Sequence, residues 1–157
     1  EDIIGSLALT VDLLPLSGLL DLYELRRVLE SHAAAQAAAR LTPDVEQTLR
    51  SLVTEMEATA DAALASDLDA RFHATIAAAG GNPTLEAFLV VFRSRSRAYQ
   101  IFDLPAGPEI KRLSDLGHRA IADAIVAHDP VAASAAAAAH VAQTEAWLRQ
   151  YRPPVTG

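Results

Sequence analysis

Three times in this chain a residue with a capping side chain is followed at once by proline: Thr42-Pro43, Asn82-Pro83 and Asp129-Pro130. The capping oxygen accepts a free N–H of a first helical turn, and proline, which has no N–H, forfeits nothing at the first helical position. Each pair therefore marks a helix start, and few folds other than a packed set of helices accommodate three of them. Reading outward from these marks predicts helices over Leu19 to Arg40, Pro43 to Leu64, Asp67 to Ala79, Pro83 to Phe102, Glu109 to His128 and Pro130 to Tyr151, with a weaker apolar helix over Ile3 to Leu14. Gly80-Gly81, Pro105-Ala106-Gly107-Pro108 and Pro153-Pro154 supply the stops between or after them. No segment alternates as a strand does. The connections are short, so the expected fold is all-α, an antiparallel helical bundle of six to seven helices.

At 157 residues, 51% of them hydrophobic, the chain can bury one core. The predicted organisation is a linker or short N-terminal helix over 1–18, one domain over 19–152 and a tail over 153–157. The alanine-rich run from Val131 to Ala139 reads as a place where a neighbouring backbone comes close. No apolar run approaches the length of a membrane span, and the first residues lack the basic stretch of a signal peptide, so the expectation is a cytoplasmic protein with no membrane partner. A net charge of -7 opposes a phosphate backbone, so the segment itself is not expected to bind DNA. Without cysteine, any metal site here must be built from histidine and carboxylate.

Asp69 and His73 are four residues apart, on the helical face that also carries Phe72 and Ile76. His118 shares a face with Ser114, Ile121, Ala122 and Ile125, and His140 shares one with Ala133, Ala137 and Trp147. Three inward imidazoles and one inward carboxylate from three helices suit a divalent metal with room for outside ligands. The same residues also suit three separately packed core histidines, and the residues alone leave both readings open. His128 falls in a last helical turn, where it complements the helix dipole, and His32 has no ligand-like surroundings. Arg26 and Glu30 are spaced as a surface ion pair, although a guanidinium also matches a carboxylate ligand. In the helix after Pro83, Arg95 lies nearer the inward face than Arg93 or Arg97, which are expected to point outward, so Arg95 is the expected pocket cation.

The order of these pieces is more specific than any one of them. Leu22-Tyr23-Glu24-Leu25-Arg26 with Leu29-Glu30 is followed by Asp69 with Phe72-His73, then by Gly81-Asn82-Pro83 and Leu85. His118-Arg119-Ala120-Ile121 follows with Ala124-Ile125 and Asp129, and His140 comes last. From Leu19 to Trp147 the chain resembles the FCD domain, the C-terminal effector domain of FadR-subfamily GntR transcription regulators. That resemblance implies a dimerising helical bundle that encloses a small-molecule pocket, in many members with a divalent metal at its floor. The family's metal ligands fall on Asp69, His73, His118 and His140, and its arginine for a carboxylate or sugar-acid effector falls on Arg26. Zinc is the first expectation for the metal, with nickel, manganese or iron as alternatives. Asn82 is explained by its capping role.

A homodimeric, non-enzymatic regulator is thus implied, reaching DNA only through a winged helix-turn-helix for which this sequence has no room. The chain is then a fragment of a regulator or a freestanding sensor. Two other classes remain: a metal-dependent enzyme using the Asp/His3 set, against which no further general base can be named, and a purely structural dimerisation bundle.

Overall fold

A computed structural model describes residues 2–12, 16–97 and 101–151, except for the side chains of residues 11, 12, 16, 17, 19, 95–97 and 101. Seven α-helices lie among the described residues: α1 (Ile3–Asp12), α2 (Leu16–Ala39), α3 (Pro43–Ala58), α4 (Ala62–Ala79), α5 (Pro83–Arg97), α6 (Gly107–Val126) and α7 (Pro130–Tyr151), with a 3₁₀ turn at Ile101–Asp103. No strand occurs among those residues, so the fold is the all-α bundle expected. Nor is any described helix long and apolar enough to cross a membrane.

The three capping devices act as their chemistry dictates. The Val45, Leu85 and Ala132 N–H groups donate to Thr42 Oγ1 at 3.3 Å, Asn82 Oδ1 at 3.1 Å and Asp129 Oδ1 at 2.9 Å. Between α3 and α4 the break falls earlier than the predicted one after Leu64. Asp61 Oδ1 caps the Leu64 N–H at 2.7 Å, and Thr59 Oγ1 accepts from the Asp61 N–H at 3.1 Å, so a cap without proline opens α4. Helix α5 is described as far as Arg97, residues 98–100, including Tyr99, lie outside the described set, and a 3₁₀ turn over Ile101–Asp103 occupies the position where the predicted helix reached Phe102. Helix α6 ends at Val126, and His128 takes a left-handed backbone conformation with φ of 54°. Its N–H donates to the Ile125 carbonyl while the Asp129 N–H reaches back to Ala124, a tight reversal that closes one helix at the residue that caps the next. The dipole role expected of His128 therefore gives way to a turn position, with its ring Nδ1 3.2 Å from the Ala38 carbonyl oxygen.

Connections of three residues join α2 to α3, α3 to α4, α4 to α5 and α6 to α7, and all but the first of these pairs pack against each other extensively. In the three packed pairs the short link reverses the chain and makes sequential helices antiparallel neighbours. The most extensive packing is α2 against α7. Buried Ala33, Ala34, Ala37 and Ala38 on α2 and Ala133 and Ala137 on α7 belong to one core cluster, where the lack of side-chain bulk allows close approach. Only one face of the alanine run does this, since Val131 is 80% exposed while Ala133, Ala137 and His140 are buried at helical spacing. Leu49, Leu52, Met56, Phe72, Ile121 and Ile125 fill the same core from α3, α4 and α6. That core forms the apolar bed on which three inward histidines rest.

Candidate metal centre

Helix α4 buries Leu68, Phe72, His73 and Ile76, and the same periodicity that buries Phe72 brings Asp69 and His73 to the interior. His118 comes from the buried face of α6 and His140 from that of α7. One ligand-type atom from each of Asp69, His73, His118 and His140 lies within 4.8 Å of all the others. Asp69 Oδ1 is 2.9 Å from His118 Nε2 and 3.5 Å from His73 Nε2, and the two Nε2 atoms are 3.3 Å apart. The His140 ring stacks on His73 with centroids 5.2 Å apart at 18°, and Phe72 meets both His73 and His118 edge-on. Aromatic walls thus fix the imidazole planes.

Gly117, one residue before His118, lets His140 in. A Cβ at that position would lie 2.5 Å from His140 Nδ1. Gly117→Ala should therefore displace the ring and lower stability by about 1–3 kcal/mol, the usual range for overpacking. Denaturant midpoints of the two proteins check this, and an unchanged midpoint would mean that His140 has slack to move.

A second, charged layer surrounds the cluster. Arg93 on α5 donates from Nη1 to Glu30 Oε1 at 2.8 Å and from Nη2 to Asp69 Oδ2 at 2.8 Å. Arg26 donates to Glu30 Oε1 from Nε at 3.2 Å and from Nη2 at 3.1 Å, with its guanidinium 4.6 Å from the Tyr23 ring centroid. Burial opposes the charge on Glu30, yet Arg93 and Arg26 outweigh it and hold this carboxyl far below its ordinary range. Asp69 is held down by Arg93 and the neighbouring histidines against the same burial penalty. Burial, reinforced by Arg93, lowers His73 from 6.5 to about 4, and burial likewise depresses His140.

A folded-state histidine pKa below the unfolded one means that the unfolded chain takes up the proton first as pH falls. In chelator, stability should thus be full above about pH 6.5 and decline down to about pH 4, by up to about 1.4 kcal/mol per pH unit for His73 alone. Urea midpoints at pH 7.5, 5.5 and 4.5 measure the slope. A flat profile would place these imidazoles in water.

The donor set fits a divalent cation. Two imidazole Nε2 atoms and a carboxylate oxygen converge, burial holds the His73 and His140 pKa values below their ordinary range and so favours the neutral rings that a metal needs, and no soft sulfur ligand is present. Glu30 Oε2 is buried without a hydrogen-bond partner and lies 3.7 Å from His73 Nδ1, where a carboxylate orients a ligating histidine through its other ring nitrogen. His118 Nδ1 and His140 Nδ1 are also buried without partners.

Arg26 is 2% exposed and engaged with Glu30, while the Arg95 side chain lies outside the described residues. Arg93, expected to point outward, instead joins the cluster, which corrects the reading of that helix face. The signal was present in its spacing, since Arg93 follows buried Leu89 by one turn and Leu85 by two. His32 is exposed. Beside the cluster lies a cavity of about 210 Å³ whose lining includes Glu30, His73 and Arg93.

Comparisons with known proteins identify the family of the fold. A family profile for the FCD domain matches residues 21–143, most of the chain. The chain belongs to the FCD domain family. Two relatives, from Escherichia coli (strain K12) and Shigella flexneri, each carry the name "Putative L-lactate dehydrogenase operon regulatory protein". Each is 31% identical over 140 residues, covering 83% of this chain and 52% of the relative. The FCD chain thus spans about half the length of the curated relatives it matches. A solved structure, Streptococcus agalactiae GntR, aligns with a TM-score of 0.69 at 31% identity, over 82% of this chain and 58% of that one. These similarities place the FCD domain described here among those of GntR-family regulators, and none of them points to an enzyme.

Proposed function

We propose that this FCD domain is the effector-sensing part of a GntR-type transcription regulator. In this reading Asp69, His73, His118 and His140 hold a divalent ion, zinc first among the candidates, and a small carboxylate or sugar acid binds beside it. The observation that carries the reading is the convergence of four ligand atoms within 4.8 Å inside a family of regulators. The surrounding charges support an anionic effector. Among the described residues Glu30 and Asp69 are offset by Arg26 and Arg93, so with the imidazoles neutral these groups sum to zero and a bound divalent ion adds net positive charge. That ion supplies a Lewis-acidic charge for a carboxylate oxygen. Among the described residues Arg93 is the guanidinium that borders the cavity, and Arg26 acts through Glu30, holding it toward Arg93 and His73.

Ligand binding regulates only if it favours one helix arrangement over another. Helices α2, α4 and α5 all border the cavity, so an acid seated there biases their mutual packing. In the regulator that bias reaches, through a homodimer, a winged helix-turn-helix that binds DNA in the cytoplasm. A panel of mono-, di- and tricarboxylates and sugar acids, read by thermal melting with the protein metal-loaded and then chelated, tests the reading. The expected result is a concentration-dependent upward shift from one acid class that disappears with chelator. Shifts from no acid, with melting indifferent to chelator, would reduce the cluster to a packing device.

A further inference from the structure

The cavity beside the metal centre points to what kind of acid is sensed, an inference that rests on the sensing reading above. Among the described residues, apart from Glu30, His73 and Arg93, its lining is almost entirely methyl and aliphatic: Ala33 and Ala34 of α2, Ala77 of α4 and Leu89 of α5 are among the buried walls. Ile121 and Ala137 contribute from α6 and α7. Ala74, Val90 and Ser94 are exposed, so the space opens to solvent on that side. The Ser94 hydroxyl already donates to the Val91 carbonyl at 2.7 Å. The remaining polar groups form one corner, because Arg93 binds Glu30 at 2.8 Å and Glu30 faces His73 at 3.7 Å.

Size and chemistry then select the occupant. An apolar cavity of about 150 Å³ takes up benzene, so a space of about 210 Å³ holds a ring or short alkyl chain together with a carboxylate. We propose that the ligand is a carboxylate with an apolar body of about six to eight carbons, an aryl or medium-chain acid. Its carboxylate meets Arg93 at the polar corner and its body lies among the alanines. The charge of Glu30 does not forbid this, since Arg26 and Arg93 both bind it. A sugar acid or citrate would set hydroxyls or further carboxylates against methyl walls that offer no partner, and an acid of lactate's size would leave much of the space unfilled.

Calorimetric titration of the metal-loaded full chain with benzoate, hexanoate, L-lactate, citrate and D-gluconate tests the proposal. Benzoate and hexanoate should bind at least tenfold more tightly than the other three, and the series from propionate to hexanoate should tighten about fourfold per methylene. Ala74→Leu, at the exposed mouth, should weaken benzoate and hexanoate at least tenfold while metal content stays at the wild-type level. The length series on the wild-type protein stands independently if that variant folds poorly. Equal or tighter binding of lactate, citrate or gluconate would overturn the ligand class while leaving acid sensing intact. Metal uptake without binding of any acid would overturn both.

Discussion

Glu30→Ala is expected to destabilise the protein by about 3–5 kcal/mol, the range found when one partner of a buried ion pair is removed. Glu30 is 6% exposed and accepts from both Arg26 and Arg93, so its loss leaves two inward guanidiniums without their shared carboxylate. The penalty comes from the excess of buried positive charge, two guanidiniums against the one remaining carboxylate of Asp69 among the described residues, far more than from the missing contacts. Glu30→Gln keeps an amide oxygen for one guanidinium and should lose about half as much. Denaturant midpoints, with the slope of unfolding unchanged, give both values. Equal stability of all three proteins would mean that Arg26 and Arg93 swing out to water when Glu30 is absent, and that the charged layer contributes nothing to holding α2, α4 and α5 together.

His118→Ala is expected to weaken metal binding more than 100-fold. Removing an outer partner of a metal ligand typically costs 10–100-fold, and His118 stands in the ligand set itself, 2.9 Å from Asp69 Oδ1 and 3.3 Å from His73 Nε2. It gives a cleaner test than Asp69→Ala, which would also strip Arg93 of a 2.8 Å partner and so mix metal loss with a charge defect. In the His118 variant, melting should become indifferent to chelator and any acid-induced shift should vanish with the metal. A variant that keeps full metal affinity would exclude His118 from the site.

Much of the architecture was legible from local chemistry, because helix starts announce themselves in cap-proline pairs and the predicted start of α7, Pro130, is the observed one. The break between α3 and α4 was not, since Thr59 and Asp61 sit in an alanine-rich stretch where nothing but a side-chain cap interrupts the helix pattern. The inward faces of Asp69, His73, His118 and His140 follow from periodicity. Their convergence does not, because it depends on how α4, α6 and α7 pack and on Gly117 admitting the His140 ring. Arg93 was misread for a different reason. A charged residue beside an apolar stripe is ordinarily solvated, and only the acidic pair Glu30 and Asp69, distant in sequence, draws it inward. Glu30 likewise looked like one half of a surface pair until α5 and α4 closed over it.

The central claim is that the four convergent residues constitute a metal site, and metal analysis of the purified protein together with X-ray absorption at the metal edge tests it most directly. The account predicts one equivalent of a divalent ion in a shell of nitrogen and oxygen with three imidazoles, lost in His118→Ala. Protein that binds no divalent ion under any loading condition, and melts identically with and without chelator, would contradict it.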